Sequence, residues 1–497
     1  MLIKGKDTAD HNIVVYGRTI KWEIRMKRLQ KIIRTQGKAF LEERQGIKIM
    51  HLKGAPYERG YQHGALLTKE ISETVTKGIT GAAAHIACAI STDISGGLNA
   101  LAVGKQEAEP FIPPEFKEEM RGISDALAAA GSNLSFDDIV LWNTMYDSYC
   151  FYNHPDPSNP ATLANRHPYP PGCSSFSAWG RATRDGKLVF GKNMDNLTLP
   201  GILENRILTI IDPEHGFGHA FVTHPGMLAI DGGVNEDGVE MMTHYSPSIN
   251  ETMQGCGIGV LTRLILQNVH RIDDAINILT VYPRCTGINY HVADAKVNRS
   301  AVIEVSASEV AVRYPEQGKD VLWSTNHSNC YPGWKGYNGH NMVSGQAKPF
   351  QLADISTLEK WQDSLRDRTN LYISGAGRFR RYEQLLFDNY GKITVEKGIE
   401  IVSDRRDPDS GRERGWSEAV PASNDGATIC MLRPRVTYAE NVICYKSKKK
   451  ITISAESGCL WSLVAVPADG DLHLAITDFP AQRGPFVHLN LLEELER

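Results

Sequence analysis

The first patterned stretch of the chain is residues 18–44. Lys and Arg are frequent there, and Trp22, Met26, Leu29 and Ile33 recur at helical spacing. That pattern predicts a basic amphipathic helix packed on its own domain. Residues 47–53, IKIMHLK, predict a strand that Gly54 and Pro56 break. Helical texture follows through YERGYQHGALLTKEISETV. Ser135-Phe-Asp-Asp138 predicts a capped start for a helix through Ile139, Leu141 and Trp142. The chain up to residue 172 is therefore expected to be mostly helical.

Residues 151–172, FYNHPDPSNPATLANRHPYPPG, interrupt the pattern. Pro and Asn are dense and aliphatic residues nearly absent, so a loop is expected. An exposed loop is a natural site of chain cleavage. From Cys173 the texture becomes strand-like. SSFSAWGRAT, Asp185-Gly186 and KLVFGKNMD predict a hairpin with a type I′ turn. GGVNEDGVEMM predicts another, turning at Asp237-Gly238. Helices are expected at GVLTRLILQNVH, DDAINILTVY and GRFRRYEQLLFDN. Strands are expected at NYHVADA, SAVIEVS, VAVRYP, ITISAESGCLWSLVAVP and LHLAIT. Strands in groups beside helices in groups argue for a layered α+β fold.

Composition narrows the function classes. The 497 residues are 41% hydrophobic and 23% charged, enough for a large globular core. A formal net charge of -4 gives no basic field for nucleic acid. There is no run of about 20 apolar residues and no signal-like apolar start, so membrane contact is not expected. Nine cysteines are scattered with no CxxC pair, which predicts neither a zinc ribbon nor a disulfide scaffold and fits a reducing cytoplasm. HExxH, a Walker loop and Gly-x-Ser-x-Gly are missing, so no metal or cofactor is expected. Gly255-Cys-Gly-Ile-Gly259 lacks dinucleotide spacing and reads as a turn into a helix.

Gly172-Cys173 is the candidate for chemistry. A thiol at a strand start, after a cleavable loop, can attack the preceding carbonyl and cause an N-to-S acyl shift. Hydrolysis then frees an α-amino group on Cys173 itself. Its unperturbed pKa of about 7.7–8.0 suits it as general base for its own thiol. Gly172 adds no side chain to hinder the attack. Taken alone, the dipeptide reads more readily as a structural cysteine after a glycine.

The context decides between them. GCSSFSAWGRATRDGKLVFGKNMDN resembles the processing site of the family named for acyl-coenzyme A:6-aminopenicillanic acid acyltransferase. More distantly it is similar to choloylglycine hydrolases and penicillin V acylase. In that resemblance Gly191-Lys192-Asn193-Met194-Asp195 ends the second strand, with Asp195 lying 22 positions after Cys173. It implies that Asp195 holds the new α-amino group. Lys192 stands where the bile-acid branch has Arg, which leaves the role of Lys192 open. Trp323-Ser-Thr-Asn326-His327 resembles the family's Thr-Asn-His segment and implies that Asn326 donates to the oxyanion. Ser374-Gly-Ala-Gly377-Arg378-Phe379 is similar to the Arg-bearing segment and implies Arg378 beside the nucleophile, with Arg380 and Arg381 as competitors. The Gly-x-Asn-x-x-Gly hairpin implies a second oxyanion contact at His244 or Tyr245. APYERGYQHG, GIGVLTRLILQNVHRIDDAINIL and RCTGINYHVADAK extend the resemblance from about residue 50 to about residue 390.

The resemblance implies a four-layer αββα N-terminal-nucleophile fold. Residues 1–172 become the smaller chain after self-cleavage, and residues 173–497 the catalytic chain. The expected activity is an amidohydrolase or acyltransferase acting on a small-molecule acyl amide or acyl thioester, with a homo-oligomer left open. The rival readings are a non-catalytic relative that binds a ligand or partner, and a papain-like hydrolase. The second lacks the Cys-Gly-Ser-Cys-Trp context.

Overall fold

The computed structural model describes residues 30–90, 92–152, 172–246, 251–326, 328, 373–408, 410–419, 428–433, 435–447 and 449–497. The chain opens with β1 (Gln30–Gln36), β2 (Ala39–Arg44) and β3 (Ile47–Gly54), which pair antiparallel in turn. Residues 30–44 are therefore a hairpin, not the expected helix; residues 18–29 of that expectation lie outside the described residues. The reason is tertiary. Gly37 and Gly46 adopt positive φ at the two turns, and Ala39 and Leu41 enter the core when paired with β3. Sheet pairing and burial outweigh a short local period.

Five helices follow: α1 (Pro56–Leu66), α2 (Thr68–Ala89), α3 (Ile94–Ala108), α4 (Pro114–Ala129) and α5 (Phe136–Tyr152). The cap of α5 is as expected. The Asp138 amide donates to Ser135 Oγ at 3.3 Å, and the Ser135 amide to Asp138 Oδ2 at 2.7 Å. Next come β4 (Gly172–Ala178) and β5 (Val189–Leu197), an antiparallel pair. Their connection runs from residue 179 to 188 and contains a short 3₁₀ turn, so it replaces the expected two-residue turn at Asp185-Gly186.

The strands β6 (Ile207–Pro213), β7 (His219–Thr223), β8 (Gly232–Asn235) and β9 (Val239–Tyr245) precede helices α6 (Ile258–Asn268) and α7 (Ile272–Val281). The β8–β9 hairpin turns at Asp237-Gly238 as expected, with Gly238 at φ +77°. Then come β10 (Ile288–Asp294), β11 (Arg299–Val305), β12 (Val310–Arg313) and β13 (Val321–Ser324), and helices α8 (Ile373–Asp388) and α9 (Val395–Val402). A two-stranded ribbon, β14 (Val436–Ile443) with β15 (Lys450–Ala455), leads to β16 (Ser457–Val466), β17 (Asp471–Ala475), β18 (Val487–Asn490) and the short α10 (Leu491–Leu495).

Two sheets carry the fold. The first runs β1-β2-β3-β6-β7-β8-β9-β10-β11-β12, and the second β13-β4-β5-β16-β17-β18. Leu208, Phe221 and Val234 of the first face Trp461, Leu463 and Leu474 of the second. Helices α1, α6 and α7 pack on the first sheet, and α8 and α9 on the outer side of the second. A separate apolar cluster, with Phe176, Val189, Tyr382, Leu386, Val402 and Val464, fills that outer layer. The result is the expected α+β sandwich of four layers, αββα.

Alternation along β4 fixes which way each of its side chains points. Ser175 Oγ and Ser177 Oγ meet the two ring nitrogens of His291, on β10 of the facing sheet, at 2.7 and 2.9 Å. Ser174 Oγ meets Tyr382 Oη of α8 at 3.1 Å on the other side. Side chains alternate along a strand, so Cys173 points between the sheets.

Candidate active site

Cys173 is the second residue of β4, and strand pairing brings its neighbours. Gly172 lies opposite Asp195, Cys173 opposite Met194, and Ser175 opposite Lys192. Directly opposed residues share a face. Asp195 therefore lies on the α8 side with Gly172, while Lys192 lies between the sheets with Cys173. On the other edge β13 pairs with β4 as far as Ser324↔Ser175. The chain then carries Thr325 and Asn326 alongside Ser174 and Cys173. Gly172 has no room for a side chain: a Cβ there would lie 2.7 Å from Met431 Cε and 3.4 Å from Arg378 Nη2.

Three side chains hold the backbone of Cys173. Its amide donates to Asn326 Oδ1 at 2.8 Å, and its carbonyl accepts from Arg378 Nη1 at 2.7 Å. Arg378 Nη2 also donates to Asn326 Oδ1 at 2.7 Å, and Nη1 lies 3.5 Å from Asp195 Oδ2. Two donors on Oδ1 fix which way the Asn326 amide faces. Its Nδ2 then donates to the Tyr245 carbonyl at 2.9 Å. Cys173, Asp195, Asn326 and Arg378 are all buried.

A second polar group lies on the inner side. Lys192 Nζ donates to the Thr243 carbonyl at 2.5 Å and lies 3.3 Å from Asp231 Oδ1. Thr243 Oγ1 donates to the same Asp231 oxygen at 2.6 Å. Lys192, Asp231 and Thr243 are buried too.

Burial pushes the Cys173 thiol up to about 12; Lys192 and Arg378 pull it down, and Asp231 and Asp195 push it further up. Burial also raises Asp195, to about 7, against the opposing pull of Arg378 and Lys192. The thiol is thus held protonated.

The structure brings Cys173, Asp195, Asn326 and Arg378 together and puts Lys192 on the thiol side. The other two sequence candidates are placed differently. Tyr245 reaches the site through its carbonyl, while its hydroxyl donates to the Cys150 carbonyl at 3.1 Å, toward α5. His244 is buried, with Nδ1 at 3.1 Å from the Asn289 carbonyl, and burial together with Lys192 holds it neutral. Of the competing arginines, Arg381 pairs with Asp404 at 2.8 Å, away from Cys173. His327 lies outside the described residues. Asp231 and Thr243 were missed by sequence reasoning. Asp231 precedes the hairpin motif as an ordinary loop residue, and only the packing of β5 against β9 shows its partner.

Comparison with known proteins adds a family. Residues 181–430, half of the chain, match the family described as acyl-coenzyme A:6-aminopenicillanic acid acyl-transferase. That span contains Lys192, Asp195, Asn326 and Arg378 and begins after Cys173. A protein of Archaeoglobus fulgidus described as uncharacterized is 28% identical over 406 residues, 76% of this chain and 61% of that relative. Protein dcd1B of Dictyostelium discoideum is 25% identical over 287 residues, 54% of this chain and 52% of that relative. The chain thus spans between half and two thirds of the curated relatives it matches. Among solved structures, a variant of conjugated bile acid hydrolase from Clostridium perfringens gives a TM-score of 0.37 at 12% identity, covering 65% of this chain and 94% of that one. The Caenorhabditis elegans ortholog of N-acylethanolamine-hydrolyzing acid amidase gives 0.33 at 13% identity, covering 59% and 93%. The family match, over half of the chain and on the strands and helix that surround Cys173, is what classifies the protein: it belongs to the acyl-coenzyme A:6-aminopenicillanic acid acyltransferase family.

Proposed function

We propose that the protein is a self-processing amidohydrolase or acyltransferase that cuts its own chain between Gly172 and Cys173. The observation that carries this is the hold on the Cys173 backbone: its amide is bound to Asn326 and its carbonyl to Arg378. Pairing with β13 ends at Ser175, and from there the backbone of Cys173 is held by side chains that can also meet a substrate instead of by a further strand. In the cut, the Cys173 thiol adds to the Gly172 carbonyl. The C–N bond breaks, the nitrogen takes a proton, and a thioester links Gly172 to the sulphur. Water hydrolyses the thioester, releasing the Gly172 carboxylate and a free thiol. The new α-amine keeps Asn326 Oδ1 as its acceptor.

The cut also changes the electrostatics. A protonated amine beside the sulphur adds a further positive charge to those of Lys192 and Arg378, so thiolate becomes more accessible after processing. The mature thiolate attacks the carbonyl of a small acyl amide or acyl thioester. Asn326 Nδ2 carries two N–H donors and spends one on the Tyr245 carbonyl, leaving one for the oxyanion. The α-amine passes its proton to the leaving group, and water or an amine takes the acyl group. Residues 1–172 would form the smaller chain and residues 173–497 the catalytic one.

Intact-mass analysis with N-terminal sequencing tests the proposal. The wild-type chain should give two fragments of about 19 and 36 kDa, at about 110 Da per residue for an average composition, the larger one starting at Cys173. Cys173→Ala should stay whole. A wild-type chain that stays whole, with Cys173 inert to acylating probes, sinks the reading and leaves a non-catalytic member of the family.

A further inference from the structure

Lys192 presents three N–H donors and meets two acceptors of the chain, the Thr243 carbonyl and Asp231 Oδ1. Strand register places Lys192 opposite Ser175, on the face of β4 to which Cys173 also points.

The anchor is itself built. Asp231 precedes β8, and its backbone carbonyl accepts from the Thr243 amide at 2.9 Å while Oδ1 accepts from the Thr243 hydroxyl at 2.6 Å. The carboxylate is therefore held from two directions and cannot turn away. Asp231 Oδ2 has no hydrogen-bond partner among the described residues and is buried. Burial pushes this carboxyl up, and Lys192 and Thr243 oppose that push, so its charged form depends on the cation beside it. A buried ammonium needs its anion equally.

We propose that Asp231 is a positioning residue: clamped by Thr243, it holds the Lys192 ammonium in place on the Cys173 side of β4 and β5. This rests on the reading of Cys173 as the nucleophile. Of the other groups close to the thiol, Arg378 also favours the thiolate, but through the far side of the strand pair. Asp195 and Arg378 act from the opposite face of β4 and β5, and Tyr146 and Cys150 of α5 are held in their uncharged forms by burial. His244 and His291, which face Lys192, are held neutral by burial in turn.

The sign of one substitution separates this role from a plain charge effect. Asp231 by itself disfavours the thiolate, so removing only its charge would speed alkylation of Cys173. If Asp231 instead holds Lys192 in place, removing it lets the cation leave the thiolate and slows alkylation. The experiment measures iodoacetamide labelling of Cys173 in the full chain at pH 8 by peptide mass spectrometry, relative to the exposed Cys88 as internal control. Lys192→Met and Asp231→Asn should each slow the relative rate at least about tenfold, one pKa unit of thiolate. The double variant should be no slower than either. Lys192→Arg, which keeps the cation and can pair with the carboxylate, should stay within about threefold of wild type. Thr243→Val leaves both charges and loosens the clamp, so it should slow labelling by a smaller factor; it carries the test if Asp231→Asn does not fold. Faster labelling in Asp231→Asn, additive losses in the double variant, or no change in Thr243→Val overturns the proposal. Because the cut itself favours the thiolate, wild type and variants are compared in the same processing state, fixed by intact mass; relative rates can be read on uncut chains as well, so a chain that never cleaves fails the functional reading alone.

Discussion

At the scale of single residues, the site works by dividing two faces of one strand. Cys173 sends its sulphur toward Lys192 and offers its backbone to Asn326 and Arg378. Asn326→Leu keeps the volume and removes the amide. The precursor should then accumulate, because loss of one oxyanion donor costs about 10²–10³ in rate; a denaturing gel of freshly expressed protein checks it. Asp195 gives a pH signature. Its folded pKa, about 7, stands above the unfolded value of about 3.9. The folded chain therefore holds the proton more tightly, and stability drawn from Asp195 falls as pH rises between those two values. On the uncut Cys173→Ala background, adding Asp195→Asn should remove that part of the fall. Melting curves at pH 4.5 and 7.5 measure the difference, and equal losses in both proteins count against the assignment. Cys173, Asp195, Asn326 and Arg378 were legible because short motifs carry them. Asp231 was not, since its meaning comes from a lysine on another strand. Whether Tyr245 would reach the site by backbone or by side chain was not legible, because strand alternation past a loop is set by sheet pairing, which a motif does not state.

Elements are held in place by a different chemistry. Glu119 of α4 is gripped by Arg59 of α1 at 2.9 Å and by Arg263 of α6 at 2.9 Å. Burial by itself raises this carboxyl, yet Arg263 and Arg59 bring it down to about 2. Its contribution to stability is thus present above the unfolded value of about 4.3 and is lost as pH falls toward 2. Glu119→Ala leaves two buried cations facing each other and should cost about 3–5 kcal/mol, read from denaturant unfolding at pH 7. A loss below 1 kcal/mol would mean water reaches the arginines. Most elements were readable from their period: α5 to α8, the β8–β9 hairpin and β10 to β12 lie where the pattern puts them. The first hairpin was not, because β1 and β2 owe their form to β3 and to two glycine turns. The β4–β5 connection was misread for a related reason. Asp-Gly marks a turn, but the register of the flanking strands sets its length.

At the scale of the whole molecule, the proposed cut divides sequence without dividing architecture. β3 lies before residue 172 and pairs in parallel with β6, which lies after it. The first sheet is therefore one hydrogen-bonded surface made from both sides of the cut. Arg44 and Glu42 of β2 add ion pairs to Glu494 and Arg497 at the other end of the chain. The two fragments should elute together as one species in native size exclusion and separate only in denaturant; early dissociation would mean that the sheet does not hold them together. The layered architecture was legible from grouped strands and helices, whereas the parallel junction joins segments more than 150 residues apart and leaves no local trace. That junction has a further consequence. A parallel ladder between distant segments forms readily when one chain tethers both, and slowly when two must meet from solution. Expressing residues 1–172 and 173–497 as separate chains should yield little native protein. The uncut chain would then be the only practical template for its own mature form, and maturation a step the molecule takes once and cannot retrace after unfolding.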